Sequence, residues 1–166
     1  MGNTGPSQHR SKFFAIPWYL RLYLFGIQGL LHEILFTSIH EFIFNGNDFR
    51  LKGETSIHAF VIYGLGSLQA EYIYFTFLKG KHGLLFRSIL YILLSFFWEF
   101  LTGLILSSVS ACPWDYSDKP YNIMGLITLD YAPGWMLCGW IQEVLSNFLL
   151  RVHISSTVDL QEKTRS

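Results

Sequence analysis

The chain has 166 residues, 51% hydrophobic and 17% aromatic but only 14% charged, with twelve basic side chains against twelve acidic ones. An ordinary soluble domain carries about 25% charged residues, and a chain of this length has room for one domain. That is more apolar surface than one soluble core can hide, so a lipid bilayer is the expected solvent and partner, while zero net charge disfavours nucleic acid or any polyanionic ligand.

The first ten residues lack the order of basic, apolar and small residues that marks a secretory leader. The chain opens Met1-Gly2, but Pro6 stands where a myristoylation signal requires Ser or Thr. Cys112 and Cys138 are the two cysteines, so neither a disulfide framework nor a Cys/His metal set is expected. Residues 1–17 read as a polar cytoplasmic head, 18–150 as a transmembrane domain and 151–166 as a polar cytoplasmic tail.

Four apolar stretches follow, each about the 20 residues or more that a helix needs to cross hydrocarbon. They run Tyr19–Phe44, Ile57–Leu78, Leu84–Ser107 and Ile123–Leu150. Turn-rich or charged breaks separate them: Asn45 to Asp48, Lys79 to Gly83, and Ser110 to Asn122 with Pro113 and Pro120. The expected fold is all-α, a four-helix transmembrane bundle. Basic residues set its orientation. Nine of the twelve (Arg10, Lys12, Arg21, Lys79, Lys81, Arg87, Arg151, Lys163 and Arg165) share the side of the head, the second loop and the tail, against Arg50, Lys52 and Lys119 on the other. Both termini are therefore expected in the cytoplasm.

Gly64, Gly66 and Ala70, and Gly134 with Cys138, have small-residue spacing that lets helices approach closely. Trp18, Trp114 and Tyr116 suit interfacial anchoring. Asn122 is placed to cap the fourth helix, and Pro133 should kink that helix by removing the amide that would bond the Leu129 carbonyl.

Acidic residues inside the spans carry the functional argument. Glu33, Glu71, Glu99, Asp130 and Glu143 would each cost about 2.5–3.5 kcal/mol at a helix centre facing lipid, so they should face the bundle interior. At about 1.5 Å per residue, Glu33 lies about 21 Å and Glu99 about 22 Å in from the cytoplasmic side, and Asp130 about 10 Å down from outside. In a core about 30 Å thick these three share one level. Desolvation and like-charge repulsion oppose ionising all three together. Either some donate hydrogen bonds or a cation visits, and His32, Thr37, Trp98, Thr102 and Tyr131 are nearby donors. The alternative is a satisfied polar cluster that orients the helices. Asp115, in the loop above that level, is a candidate rim residue, although Asp115 with Ser117 also suits a local turn. Glu33, Glu99, Asp115 and Asp130 are thus the candidate binding residues. Glu71 or Glu143 is expected to pair with Arg87. His32-Glu33 and His40-Glu41 do not complete a zinc-protease motif, and no catalytic residue, metal set or cofactor signature is found.

Trp98-Glu99-Phe100-Leu101-Thr102-Gly103, the run Ala111 to Ser117, and Gly125 to Ala132 with Trp135 resemble the transmembrane protein 229 family, which groups with bacterial proteins labelled putative ABC-transporter type IV. The resemblance covers roughly residues 18 to 150. It implies a multi-pass membrane protein, and it places Asp130 where the family often has Glu, a carboxylate with shorter reach. No phosphate-binding G-x-x-x-x-G-K-[ST] is present, so ABC-type activity would require a separate ATPase subunit. Three functions remain open: binding or passage of a small cation or protons, an adaptor whose acids order the bundle, or a lipid-directed enzyme with one carboxylate as base. A partner membrane subunit or a homo-oligomer is compatible with each.

Overall fold

In a computed structural model of the chain, residues 13–44 and 49–155 are described. Most of the expected head and tail, the turn at Asn45 to Asp48, and Arg10, Lys12, Lys163 and Arg165 lie outside the described residues.

Four helices dominate: α1 Trp18–Phe44, α2 Ile57–Ile73, α3 Leu84–Ser108 and α4 Ala132–Leu149. Short strands join them, β1 Phe13–Ala15 pairing antiparallel with β4 His153–Ser155, and β2 Asn122–Ile123 with β3 Ile127–Thr128. The first three apolar stretches coincide with helices almost to the residue. α2 continues through one π turn, Tyr74–Leu78, whose Tyr74 carbonyl accepts from the Lys79 amide at 2.8 Å. That wider turn ends the helix before Lys79-Gly80, where Gly80 takes a positive φ.

The fourth stretch differs from expectation. Residues 123–131 are not helical, and α4 begins at Ala132. Met124 and Gly125 adopt φ values of 57° and 68°, the left-handed pair at the centre of a tight turn that the Leu126 amide closes on the Ile123 carbonyl at 3.0 Å. Asn122 is not a helix cap. Its Nδ2 donates to the Lys119 carbonyl at 2.7 Å and its Oδ1 accepts from the Gly125 amide at 3.0 Å, which ties the hairpin together. Nor does Pro133 kink a helix: it stands in the first turn of α4, where a missing amide leaves nothing unpaired.

The helices associate as antiparallel hairpins. The α1–α2 contact is the most extensive, α3 packs on α4, and α2 also meets α3 and α4. Small residues permit the closest approaches. A Cβ on Gly29 would lie 2.1 Å from Tyr63 Cβ, one on Gly64 3.0 Å from Leu22, and one on Gly139 2.6 Å from the Tyr91 ring. Gly134, expected to serve close packing, faces open space.

Polar groups share the interior with apolar ones, and many large apolar side chains lie outside. Glu71, Ser88, Glu99, Gln142 and Ser146 are buried, whereas Leu85, Phe97 and Val144 are 76%, 63% and 71% exposed. Large apolar side chains stand outward on every helix, including Leu35 and Ile39 of α1 and Val61 and Leu65 of α2. Such a surface suits hydrocarbon rather than water, and α1 and α3 are long and apolar enough to cross a membrane.

Candidate functional site

The acids separate into two groups by their partners. At the end of the bundle where α1 and α3 begin, each is met by a guanidinium. Arg21 Nη1 lies 3.1 Å from Glu71 Oε2. Arg87 donates to Glu143 from Nε at 2.8 Å and from Nη2 at 3.2 Å, and Tyr91 adds a hydroxyl at 2.7 Å. Arg87 thus selects Glu143, and Glu71 has its own arginine.

Glu33 and Glu99 are held by neutral donors. Glu99 is buried. The Tyr116 hydroxyl donates to its Oε1 at 2.9 Å, and the Trp135 indole to its Oε2 at 3.2 Å. Glu33 accepts from the Thr55 hydroxyl at 3.0 Å. Both acids line one crevice between the helices. Its outer chamber is about 620 Å³ and its inner chamber about 140 Å³, with Tyr63, Trp114, Tyr116 and Trp135 lining both. Lys52, on the exposed segment before α2, and His40 line only the outer chamber; Gln28 and Gln142 line only the inner one.

Asp115 and Asp130 line neither chamber. Asp115 accepts from the Ser117 amide and hydroxyl in a local turn. Those bonds, the hydroxyl first, hold its carboxyl below the ordinary aspartate range. A depressed folded-state pKa gives a contribution that is present above about pH 4 and is lost as pH falls through the lowered value. Asp130 is exposed and accepts from Thr128 Oγ1 at 3.1 Å, at the turn leading into α4. Both aspartates therefore fix the segment that covers the crevice, while Glu33 and Glu99 face into it.

The loop reaches down through Tyr116, whose amide bonds the Gly125 carbonyl at 2.7 Å. Burial, and then the Glu99 charge, push its phenol above the ordinary tyrosine range, so it stays a donor. Tyr116 and Trp135 were not distinguishable in sequence as partners of Glu99, because Tyr116 also suits an interfacial anchor and Trp135 stands 36 residues away. Three of the donors expected there are engaged elsewhere. Trp98 Nε1 donates to the Ile62 carbonyl at 2.9 Å, and the Thr37 and Thr102 hydroxyls bond carbonyls of their own helices. Tyr116→Phe should leave one Glu99 oxygen without its donor, at a cost of about 1–3 kcal/mol. Thermal unfolding of the purified protein measures this, and an unchanged midpoint would mean that solvent replaces the hydroxyl.

Among the described residues no three His, Cys, Asp or Glu side chains form a group that could hold a metal ion. The arrangement offers two carboxylates, aromatic walls and few free donors. A model of the family described as Putative ABC-transporter type IV matches residues 20–163, which takes in α2, α3, α4 and all but the first two residues of α1. No solved structure matches the chain.

Proposed function

The chain belongs to the Putative ABC-transporter type IV family, and from that premise we propose that it is a four-span membrane protein, with both ends cytoplasmic, that binds or passes a small cation or protons at Glu33 and Glu99. Residues 18–150 form the membrane domain, between a polar head at 1–17 and a polar tail at 151–166, and within the family the chain sits with transmembrane protein 229. Apolar outward faces on all four helices support four spans. The β1–β4 pairing supports ends on a common side, as does the gathering of Arg21, Lys79, Lys81, Arg87 and Arg151 there, which also makes that side cytoplasmic. Asp115 and Asp130 serve the site by shaping its rim. An ABC-type cycle would draw on a separate ATPase subunit.

The observation that carries this reading is the convergence of two carboxylates from different helices on one cavity, with neutral donors in place of cations. Holding them there is costly unless a positive charge or proton visits. Reconstitution into liposomes that enclose a pH-reporting dye, under a potassium diffusion potential, tests it. Wild-type protein should carry protons or the imposed cation, and Glu33→Gln with Glu99→Gln should slow the flux at least about tenfold with folding retained. Wild-type flux no greater than that of empty liposomes rejects the reading. The adaptor reading would then lead, and one observation favours it: protein donors reach both Glu99 oxygens.

A further inference from the structure

We infer that the crevice takes a small organic ammonium ion, its cationic head against the aromatic walls between Glu33 and Glu99 and a hydrogen-bond donor directed toward Gln28. This rests on the reading of the crevice as a cation site and names the class of cation.

Size leaves room for more than a bare ion. The inner chamber of about 140 Å³ is close to the ~150 Å³ cavity that accommodates benzene, so it suits a ligand of about half a dozen non-hydrogen atoms. A bare alkali ion would leave most of that space unfilled.

Wall chemistry selects the charge. Tyr63, Trp98, Trp114, Tyr116 and Trp135 line the chamber, with the Tyr63 and Trp135 rings 6.3 Å apart between centroids. Four of the five have already committed their polar hydrogens: Trp98 to the Ile62 carbonyl, Trp114 to the Leu126 carbonyl, and Tyr116 and Trp135 to Glu99. Those hydrogens are therefore not offered to a ligand, and what remains of these side chains is ring surface, whose π faces carry a negative quadrupole that attracts cations. The unsatisfied groups are oxygens. Gln28 Oε1 and Ser56 Oγ, both of residues lining the chamber, are buried without a hydrogen-bond partner. Two carboxylates, an orphan amide oxygen and π faces repel an anion, and a wholly apolar ligand leaves those oxygens unpaired. An ammonium ion carrying a hydroxyl or an N–H brings a charge for the carboxylates and a donor for Gln28 Oε1. Lys52 lines only the outer chamber, so its charge stands on the entrance side.

The free ion and a lipid headgroup share this chemistry. The test titrates choline, and separately its uncharged carbon isostere 3,3-dimethylbutan-1-ol, onto the full chain in phosphatidylglycerol nanodiscs, read by tryptophan fluorescence. Choline should bind saturably, and the isostere at least about tenfold more weakly. Tyr63→Leu should weaken choline by a similar factor, while Tyr63→Phe, which keeps the ring face, retains it. Equal binding of choline and isostere overturns the inference, since the chamber would then be only an apolar void. Potassium displacing choline at equal concentration overturns the organic class yet leaves the cation reading standing. Proton flux that persists without choline binding does the same. Repeating the titration in phosphatidylcholine nanodiscs identifies the source: a weaker apparent choline affinity marks the lipid headgroup as occupant, and an unchanged one marks the free ion.

Discussion

Arg87→Ala should lower the stability of the folded protein by about 3–5 kcal/mol, the cost typical of removing one partner from a buried ion pair. Arg87 grips Glu143 through two nitrogens and reaches the His82 carbonyl at 2.9 Å with a third. The two side chains are 21% and 12% exposed, so solvent can replace little of what the substitution removes. Glu143 would keep the Tyr91 hydroxyl but lose the guanidinium that meets it. Replacing both partners with apolar residues, as in Arg87→Met with Glu143→Leu, should recover most of the loss, because no uncompensated charge is then left behind. Thermal or denaturant unfolding of the single and double variants measures this. A single-variant cost under about 1 kcal/mol would mark the pair as a solvated surface contact. The contrast with Glu99 is informative, since that acid is also buried and its oxygens are met by Tyr116 and Trp135.

How much of this was legible in the sequence depended on the element. The bounds of α1, α2 with its π turn, and α3 follow from apolar runs that stop at Asn45, Lys79 and the serines around 107–110, because both the hydrophobic content and the stop signals are local. The start of α4 was not legible. Ile123-Met124-Gly125-Leu126-Ile127 has the composition of a membrane helix, and hydropathy averages do not separate an apolar hairpin from one. Only the backbone distinguishes them, through left-handed values at Met124 and Gly125; the usual Asn-Gly signal for such a turn is missing. Gly125 is required there for a second reason, because a Cβ on it would lie 2.6 Å from Asp115 Oδ1 and Ser117 Oγ.

The same distinction runs through the site. Counting residues along a helix relates Glu33 to Glu99 because both counts start at real helix ends, and the two side chains line one cavity. The count for Asp130 ran along a helix that does not exist at that point, so it gives no depth, and Asp130 instead bonds Thr128 two residues away. The donors to Glu99 come from the covering loop and from the first turns of α4, contacts of long sequence separation that spacing on one helix does not encode. Threonines on helices prefer the carbonyl three or four residues back, which is where the Thr37 and Thr102 hydroxyls go.

Gly29→Ala should be among the most damaging methyl additions at the described glycines, costing about 3 kcal/mol, the upper end of the overpacking range, or more. The added carbon would sit 2.1 Å from Tyr63 Cβ and 2.4 Å from Cγ. These atoms adjoin the α2 backbone, so no rotamer change clears them, and α1 and α2 must move apart. In lipid, helices associate through close packing, without the hydrophobic drive available in water, so nothing replaces the contact that is lost. Separation would also strain the ties between the helices and their connection, Thr55 to Glu33 and the Glu54 amide to Thr37, and would shift Tyr63, a wall of both chambers. Loss of stability and loss of ligand binding should therefore travel together. Gly134→Ala provides the control. Nothing lies within 4 Å of its added carbon, and alanine is favoured over glycine in a helix by up to about 1 kcal/mol, so stability should hold or rise slightly. Equal tolerance of the two substitutions would mean that α1 and α2 do not meet at Gly29, and the chamber wall built on that contact would go with it.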